Sequence, residues 1–216
     1  MAQRHPHISL AESWRILRVL YWLGRRPADL IPYLQFGLGA KKTPLELGVP
    51  WWTFGAVRAL EKKVAKNMEA FEFGSGGSTL FLAERCSSVT AVEDDKTWTE
   101  LVRAKAAMTG RKNVEILHRP FDFSQSEDFE QSQYFKSLGS KHYDIIVVDG
   151  QEQNLRVRIP CFRAAESRIR TGGTIVLDDS YRYPELKTDH QALRKEVFRG
   201  TGYCRRGVSE TTLFYY

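Results

Sequence analysis

No uninterrupted apolar run in the sequence reaches the roughly 20 residues that a membrane span needs. The opening Met1-Ala-Gln-Arg-His-Pro-His7 has neither the apolar core nor the cleavage site of a secretion signal. Those two absences put the expected location in the cytoplasm. Cysteine is scarce: Cys86, Cys161 and Cys204 are odd in number, far apart and without metal-ligand spacing, which excludes a disulfide framework and reads as reduced thiols. There is also no tract of one charge. The net charge of +6 is scattered through pairs such as Arg25-Arg26, Lys41-Lys42, Lys62-Lys63 and Arg205-Arg206. That pattern reads as solvated surface, so a nucleic-acid partner is not expected. Repeats and low-complexity tracts are missing too. What is there, 216 residues of which 42% are hydrophobic, suffices for one packed domain without staples.

Two textures divide the chain. Residues 1–50 read as an N-terminal helical extension or lid, and residues 51–216 as the main domain. Within the extension Leu10, Trp14, Leu17 and Tyr21 recur at helical spacing among Arg15, Arg18, Arg25 and Arg26. Ser9 is the expected N-cap, Gly24 the expected C-cap, and Pro27 stops the helix. That apolar stripe is expected to pack over a pocket or against a second copy, and a membrane-surface contact stays open beside a homo-oligomer. A second helix is expected over 52–66. Beyond it, apolar strands at 69–73, 88–93, 113–118, 143–149 and 173–178 alternate with helices near 78–86, 96–108, 154–169 and 185–198, and a last strand covers 211–216. This is an α/β, doubly wound, mostly parallel sheet covered by helices on both faces. Gln125, Ser126, Gln131 and Ser132 suggest a surface excursion in 119–142.

The sharpest feature is Ala70-Phe-Glu72-Phe-Gly74-Ser75-Gly76-Gly77-Ser78-Thr79, a buried strand running through glycines into an apolar helix. Glycines at 74 and 76 let the chain turn tightly and let a ligand approach the backbone. Ser78 or Thr79 is expected to cap the helix. A dinucleotide fingerprint needs a third glycine where Thr79 stands, which disfavours a nicotinamide-dependent oxidoreductase. Instead Glu72 makes the pattern E-x-G-x-G. Glu93 ends the second strand nineteen residues after Gly74, where a carboxylate can accept both ribose hydroxyls of a nucleoside. Asp94 and Asp95 are expected to cap the next helix.

These stretches, with Pro50-Trp51-Trp52-Thr-Phe, Tyr143-Asp-Ile-Ile-Val-Val-Asp149-Gly150 and Gly172-Gly-Thr-Ile-Val-Leu-Asp178-Asp179, resemble Rossmann-like methyltransferases dependent on S-adenosylmethionine. The resemblance is particularly to bacterial enzymes of glycan and natural-product pathways. The likeness covers 50–216. It implies a seven-stranded Rossmann-like sheet of order 3-2-1-4-5-7-6, S-adenosylmethionine as cofactor, and a small-molecule acceptor such as a sugar methylated on oxygen. It implies cofactor contacts from Glu72, Gly74, Ser75, Gly76, Ser78, Thr79, Glu93 and Asp149. Asp149 is also the candidate catalytic base. Asp149, Asp178 and Asp179, three carboxylates expected on one sheet edge, would repel one another unless protonated, hydrogen-bonded or bridged. The resemblance to metal-dependent O-methyltransferases implies Mg2+ as that bridge. Trp51 and Trp52 are candidate walls of the substrate pocket, with burial in the core as the alternative. Residues Arg119 to Asp122 should lie near adenine, and Arg156 and Arg158 read as a solvated helix face, with contact to an anionic substrate as the alternative. N-methylation without a metal, and a cofactor- or partner-binding module without catalysis, remain as other readings.

Overall fold

A computed structural model describes residues 10–38, 41–123, 128–151 and 156–216. Helix α1 (Leu10–Arg25) leads past Pro27 into a short α2 (Leu30–Pro32) and a π-helical turn, Tyr33–Leu38. The expected N-cap Ser9 lies outside the described residues, as do Gln125, Ser126 and the start of the helix read at 154. Gly24 falls inside the last turn of α1, and Arg26 N–H closes that turn on the Trp22 carbonyl at 3.0 Å. Helix α3 (Pro44–Leu47) follows. A reciprocal cap defines it: Glu46 N–H donates to Thr43 Oγ1, while Thr43 N–H donates to the Glu46 carboxylate at 2.6 Å.

Helix α4 (Phe54–Glu61) precedes β1 (Glu69–Phe73), α5 (Gly77–Ala83), β2 (Ser88–Glu93), α6 (Lys96–Met108), β3 (Val114–His118), α7 (Gln133–Lys136), β4 (Tyr143–Val148), α8 (Arg158–Glu166), β5 (Ile169–Leu177), β6 (Arg194–Gly200) and β7 (Ser209–Tyr215). The strands form one seven-stranded sheet in the order β3-β2-β1-β4-β5-β7-β6, as expected. Pairing is parallel from β3 to β5 and antiparallel where β7 joins β5 and β6. Strand alternation builds a core on each face. Phe71, Phe73, Ile146, Val148, Ile175, Leu177 and Phe214 pack to one side. Ala70, Ile145, Val147, Val176 and Leu213 pack to the other, with Trp52, Val57 and Leu60. Such doubly covered strands have no solvent-facing side, which is why their sequences run apolar without alternation.

The helix expected at 185–198 is corrected: a short turn, Glu185–Lys187, is followed by β6. Arg194–Gly200 is rich in helix-forming side chains, but it is an edge strand whose partner β7 supplies the pairing, for example Val197 with Thr212. Tertiary pairing overrides local propensity there. Helix α1 rests on the β6 side of the sheet through Val19 and Leu23, which pack with Tyr33 and Phe54. No helix among the described residues is long and apolar enough to cross a membrane.

Candidate active site

The C-terminal ends of β2, β4 and β5 open onto a cleft of about 480 Å³, bordered by Trp51, Glu93, Trp98, Asp149, Arg158, Asp178, Asp179 and Arg205. Ligands bind outside the carboxyl ends of parallel strands in open α/β sheets because the loops there are the variable, unpaired part of the fold.

The loops after β1 and β4 meet backbone to backbone. Gly74 has φ +93° and Gly150 φ +84°, and a Cβ on Gly74 would stand 2.7 Å from the Gly150 Cα. Glycine is needed at 74 for the turn and for this approach. At Gly76 a Cβ would meet only the Trp98 ring at 3.9 Å, so that rim of the loop is open. Helix α5 starts at Gly77 with Gly76 as N-cap, two residues before Ser78 and three before Thr79, the expected caps. Ser78 and Thr79 lie inside the first turn and donate their hydroxyls to the two oxygens of Glu72, while Gly76 N–H donates to Thr79 Oγ1 at 2.9 Å. Glu72 is 1% exposed and is not among the cleft-lining residues. Its carboxyl ties the loop from beneath. Burial pushes its pKa up to about 8, against the pull of the Ser78 and Thr79 hydrogen bonds.

Glu93 lies at the end of β2 and lines the cleft. Its Oε2 accepts from Ser75 N–H at 3.0 Å and Ser75 Oγ at 2.8 Å, and its Oε1 accepts from Asp94 and Asp95 N–H. Burial raises its pKa to about 7 even so. Asp95 caps α6 by accepting from Trp98 N–H at 2.7 Å, as expected, and Trp98 Nε1 in turn donates to the Ser75 carbonyl at 2.8 Å. An indole thus closes the loop from the α6 side. His118 at the end of β3 faces the Asp94 carbonyl through Nε2 at 3.2 Å.

Asp149, Asp178 and Asp179 do converge on the cleft, but two arginines supply the positive charge that was assigned to a metal. Arg158 Nη2 donates to Asp149 Oδ1 at 2.9 Å and to the Gly150 carbonyl, and its Nη1 donates to the Asp178 carbonyl. Arg205 spans the adjacent pair, with Nη2 to Asp178 Oδ2 at 3.0 Å and Nη1 to Asp179 Oδ1 at 3.1 Å. Thr211 Oγ1 donates to the other oxygen of Asp178, and Ser209 Oγ to Asp179 Oδ1. The Mg2+ expectation gains no support here: these donors already engage the carboxylates, and no metal-holding group of three His, Cys, Asp or Glu residues forms among the described residues. Burial and the neighbouring Asp149 raise the Asp178 pKa to about 7, whereas Arg205 and the Ser209 hydroxyl hold Asp179 below its usual range.

Arg158, expected on a solvated helix face, is 7% exposed. Its sequence signal was its place nine residues beyond Asp149, at the start of α8. Arg205 carries no local signal, because its partners are 26 and 27 residues away. Of the two tryptophans, Trp51 lines the cleft, with the Arg205 guanidinium 4.9 Å from its ring centroid. Trp52 is fully buried beside Phe81, so its expected place in the pocket wall is corrected to the core.

Residues 71–180 match a family described as a methyltransferase domain. The chain belongs to that family. It is accordingly an enzyme of the S-adenosylmethionine-dependent methyltransferase type. No curated protein sequence matches this methyltransferase. Solved structures with the same fold include a Streptococcus mutans protein in complex with S-adenosylhomocysteine (TM-score 0.55, 14% identity, covering 82% of this chain and 100% of that one). An O-methyltransferase from Bacillus cereus, also with S-adenosylhomocysteine, superposes at TM-score 0.53 and 16% identity over 95% of this chain and 99% of its own. An rRNA methylase from Streptococcus thermophilus reaches TM-score 0.54 at 11% identity, over 82% and 98%. At such identities the likeness is one of fold.

Proposed function

We propose that this methyltransferase transfers a methyl group to an oxygen of a small acceptor held between Trp51 and the carboxylates, with Asp149 accepting the hydroxyl proton. One observation carries the reading: the Asp149 side chain is 26% exposed at the cleft, while Arg158 and its own Gly150 N–H fix one of its oxygens. The other two acids are more deeply buried and spanned by Arg205. The fold likeness to the Bacillus cereus O-methyltransferase over nearly both chains agrees with an oxygen acceptor.

S-adenosylmethionine supplies an electrophilic methyl on a sulfonium when bound. The open rim at Gly76 and the carboxylate of Glu93 fit such a nucleoside ligand. Glu93 would accept the ribose hydroxyls, Gly74, Ser75 and Gly76 would form the loop edge, and Asp149 would stand at the amino-acid end. Ser78, Thr79 and Glu72 act one layer below by holding that edge in place. The rest of the work is alignment and proton removal. Trp51 and Trp98 wall the cleft, Arg158 orients the Asp149 carboxylate, and Arg205 keeps Asp178 and Asp179 from repelling it. The cationic role falls to arginine, so no divalent ion is assigned.

The test is methyl transfer to a panel of sugars, phenols, amines and an rRNA fragment, with and without EDTA. Transfer to hydroxyl acceptors is expected to persist in EDTA. Asp149→Asn is expected to lower kcat by about 100-fold or more, in the range of a general base, while S-adenosylhomocysteine still binds. Full turnover by Asp149→Asn, dependence on Mg2+, or transfer confined to amines or RNA would overturn the reading.

A further inference from the structure

Large apolar side chains crowd the outer surface of the N-terminal elements. Trp14 and Ile31 are 66% and 67% exposed, and Leu17, Leu20, Tyr21 and Leu34 are each more than half exposed. Helix α1 is apolar on two sides. Val19 and Leu23 face the protein, while Trp14, Leu17 and Tyr21, at spacings of three and four, form a second stripe that packs against none of the described residues closely enough to be covered. Contiguous apolar patches of this kind mark an interaction surface.

The charge around the patch says which. Arg18 and Arg25 stand four residues after Trp14 and Tyr21 and are exposed along the edge of their stripe. The Arg25 guanidinium lies 5.7 Å from the Tyr21 ring centroid. Beyond the end of α1, Arg26 opens onto a cleft of about 500 Å³ bordered by Arg58, Lys62, Lys63 and Arg194. Glu196, paired with Arg194, is the single acid lining it, and the buried Asp29 pairs with Arg58. An apolar stripe with tryptophan and tyrosine, edged by arginine and continued by a cationic cleft, has the chemistry of a helix lying in the headgroup layer of an anionic membrane. A symmetric pair of copies would instead set two arginine-edged faces of the same sign against each other, and a nucleic acid would leave the leucine and isoleucine surface in water.

We infer that α1 and residues 30–38 seat this enzyme on an anionic lipid surface, with the apolar stripe in the acyl boundary and the Arg26–Lys63 cleft receiving headgroup phosphates. The inference does not depend on the acceptor or on Asp149.

Vesicle sedimentation of the full chain tests it, using phosphatidylcholine with and without phosphatidylglycerol. Binding is expected with phosphatidylglycerol, weaker without it, and reduced by salt. Leu17→Glu is expected to cut binding roughly tenfold or more, since a charge replaces buried hydrocarbon. Leu34→Glu, on the separate segment, gives the same readout should Leu17→Glu fold poorly. Lys62→Glu/Lys63→Glu is expected to remove the preference for phosphatidylglycerol. S-adenosylhomocysteine affinity, unchanged in these variants, reports intact folding. No sedimentation with anionic vesicles by protein that still binds S-adenosylhomocysteine would overturn the inference. So would self-association that Leu17→Glu dissolves, or vesicle binding that Leu17→Glu and Leu34→Glu both leave untouched.

Discussion

Arg205 shows how one side chain can determine whether a cluster of acids is tolerable. Its two Nη atoms reach two carboxylates on neighbouring residues while its Nε donates to the Trp51 carbonyl at 2.9 Å. Only a planar fork serves three acceptors at once. Arg205→Ala is expected to destabilise the protein by about 3–5 kcal/mol, because buried acids would be left without their cation. Arg205→Lys should recover little of that, which urea unfolding of the two variants measures. Glu93 gives a second prediction at this scale. Glu93→Ala should weaken S-adenosylhomocysteine binding by roughly 1.5–3 kcal/mol through loss of charge-assisted hydrogen bonds. Glu93 carries a pKa near 7, so its carboxylate forms as pH rises from 6 to 8. Affinity by calorimetry should therefore strengthen over that interval, and Glu93→Gln should flatten the dependence. Equal pH profiles for the two proteins would remove Glu93 from the ribose.

The element that positions the cofactor loop is the contact between the turns after β1 and β4. Gly74→Ala puts a side chain at a positive φ and within 2.7 Å of the Gly150 backbone. Two mechanisms of strain act together, so a loss of more than about 1 kcal/mol in stability is expected. Weaker S-adenosylhomocysteine binding should accompany it, because the loop after β4, which lines the cleft, must move away from the loop after β1. Unchanged stability and affinity in Gly74→Ala would contradict the loop contact. The glycines were legible in the sequence because a turn with no side chain leaves a mark in composition. The central parallel strands β1, β4 and β5 were legible because burial on both faces turns them into apolar runs ending in glycine or an acid. Strand order came only with the resemblance. β6 was misread, since an edge strand of Arg, Lys, Glu and Val has helical composition and is specified by its pairing with β7. The acids of the site were visible as strand ends, whereas the arginines that neutralise them were not. Arg205 reaches Asp178 from the connection between β6 and β7, a contact that exists only after the sheet closes.

Across the whole molecule, three buried acids share one sign of perturbation. Burial raises Glu72 to about 8, and Glu93 and Asp178 each to about 7. In an unfolded chain these groups ionise near their ordinary values, 4.5 for Glu and 3.8 for Asp. Between those values and the folded ones, the native state binds more protons than the unfolded state. Stability must then fall as pH rises through that window, because the slope with pH follows the protons held by the unfolded state minus those held by the native one. Glu69 works in the opposite direction: Lys141 and Arg170 lower it to about 2, so its contribution is lost only as pH falls from 4.5 toward 2. The two windows leave the stability maximum of the ligand-free enzyme near pH 5. Differential scanning calorimetry should show Tm declining from pH 5 to pH 8 by several degrees, at roughly 2–4 °C for each kcal/mol in a chain of this size. Glu72→Gln retains a neutral acceptor beneath the loop and removes the group that resists ionisation longest. It should raise Tm at pH 8 relative to the parent protein, with little effect at pH 5. A Tm that is flat or rising over this interval, or a Glu72→Gln variant that loses the same stability at both pH values, would show that these acids are hydrated in the folded enzyme rather than held in its interior.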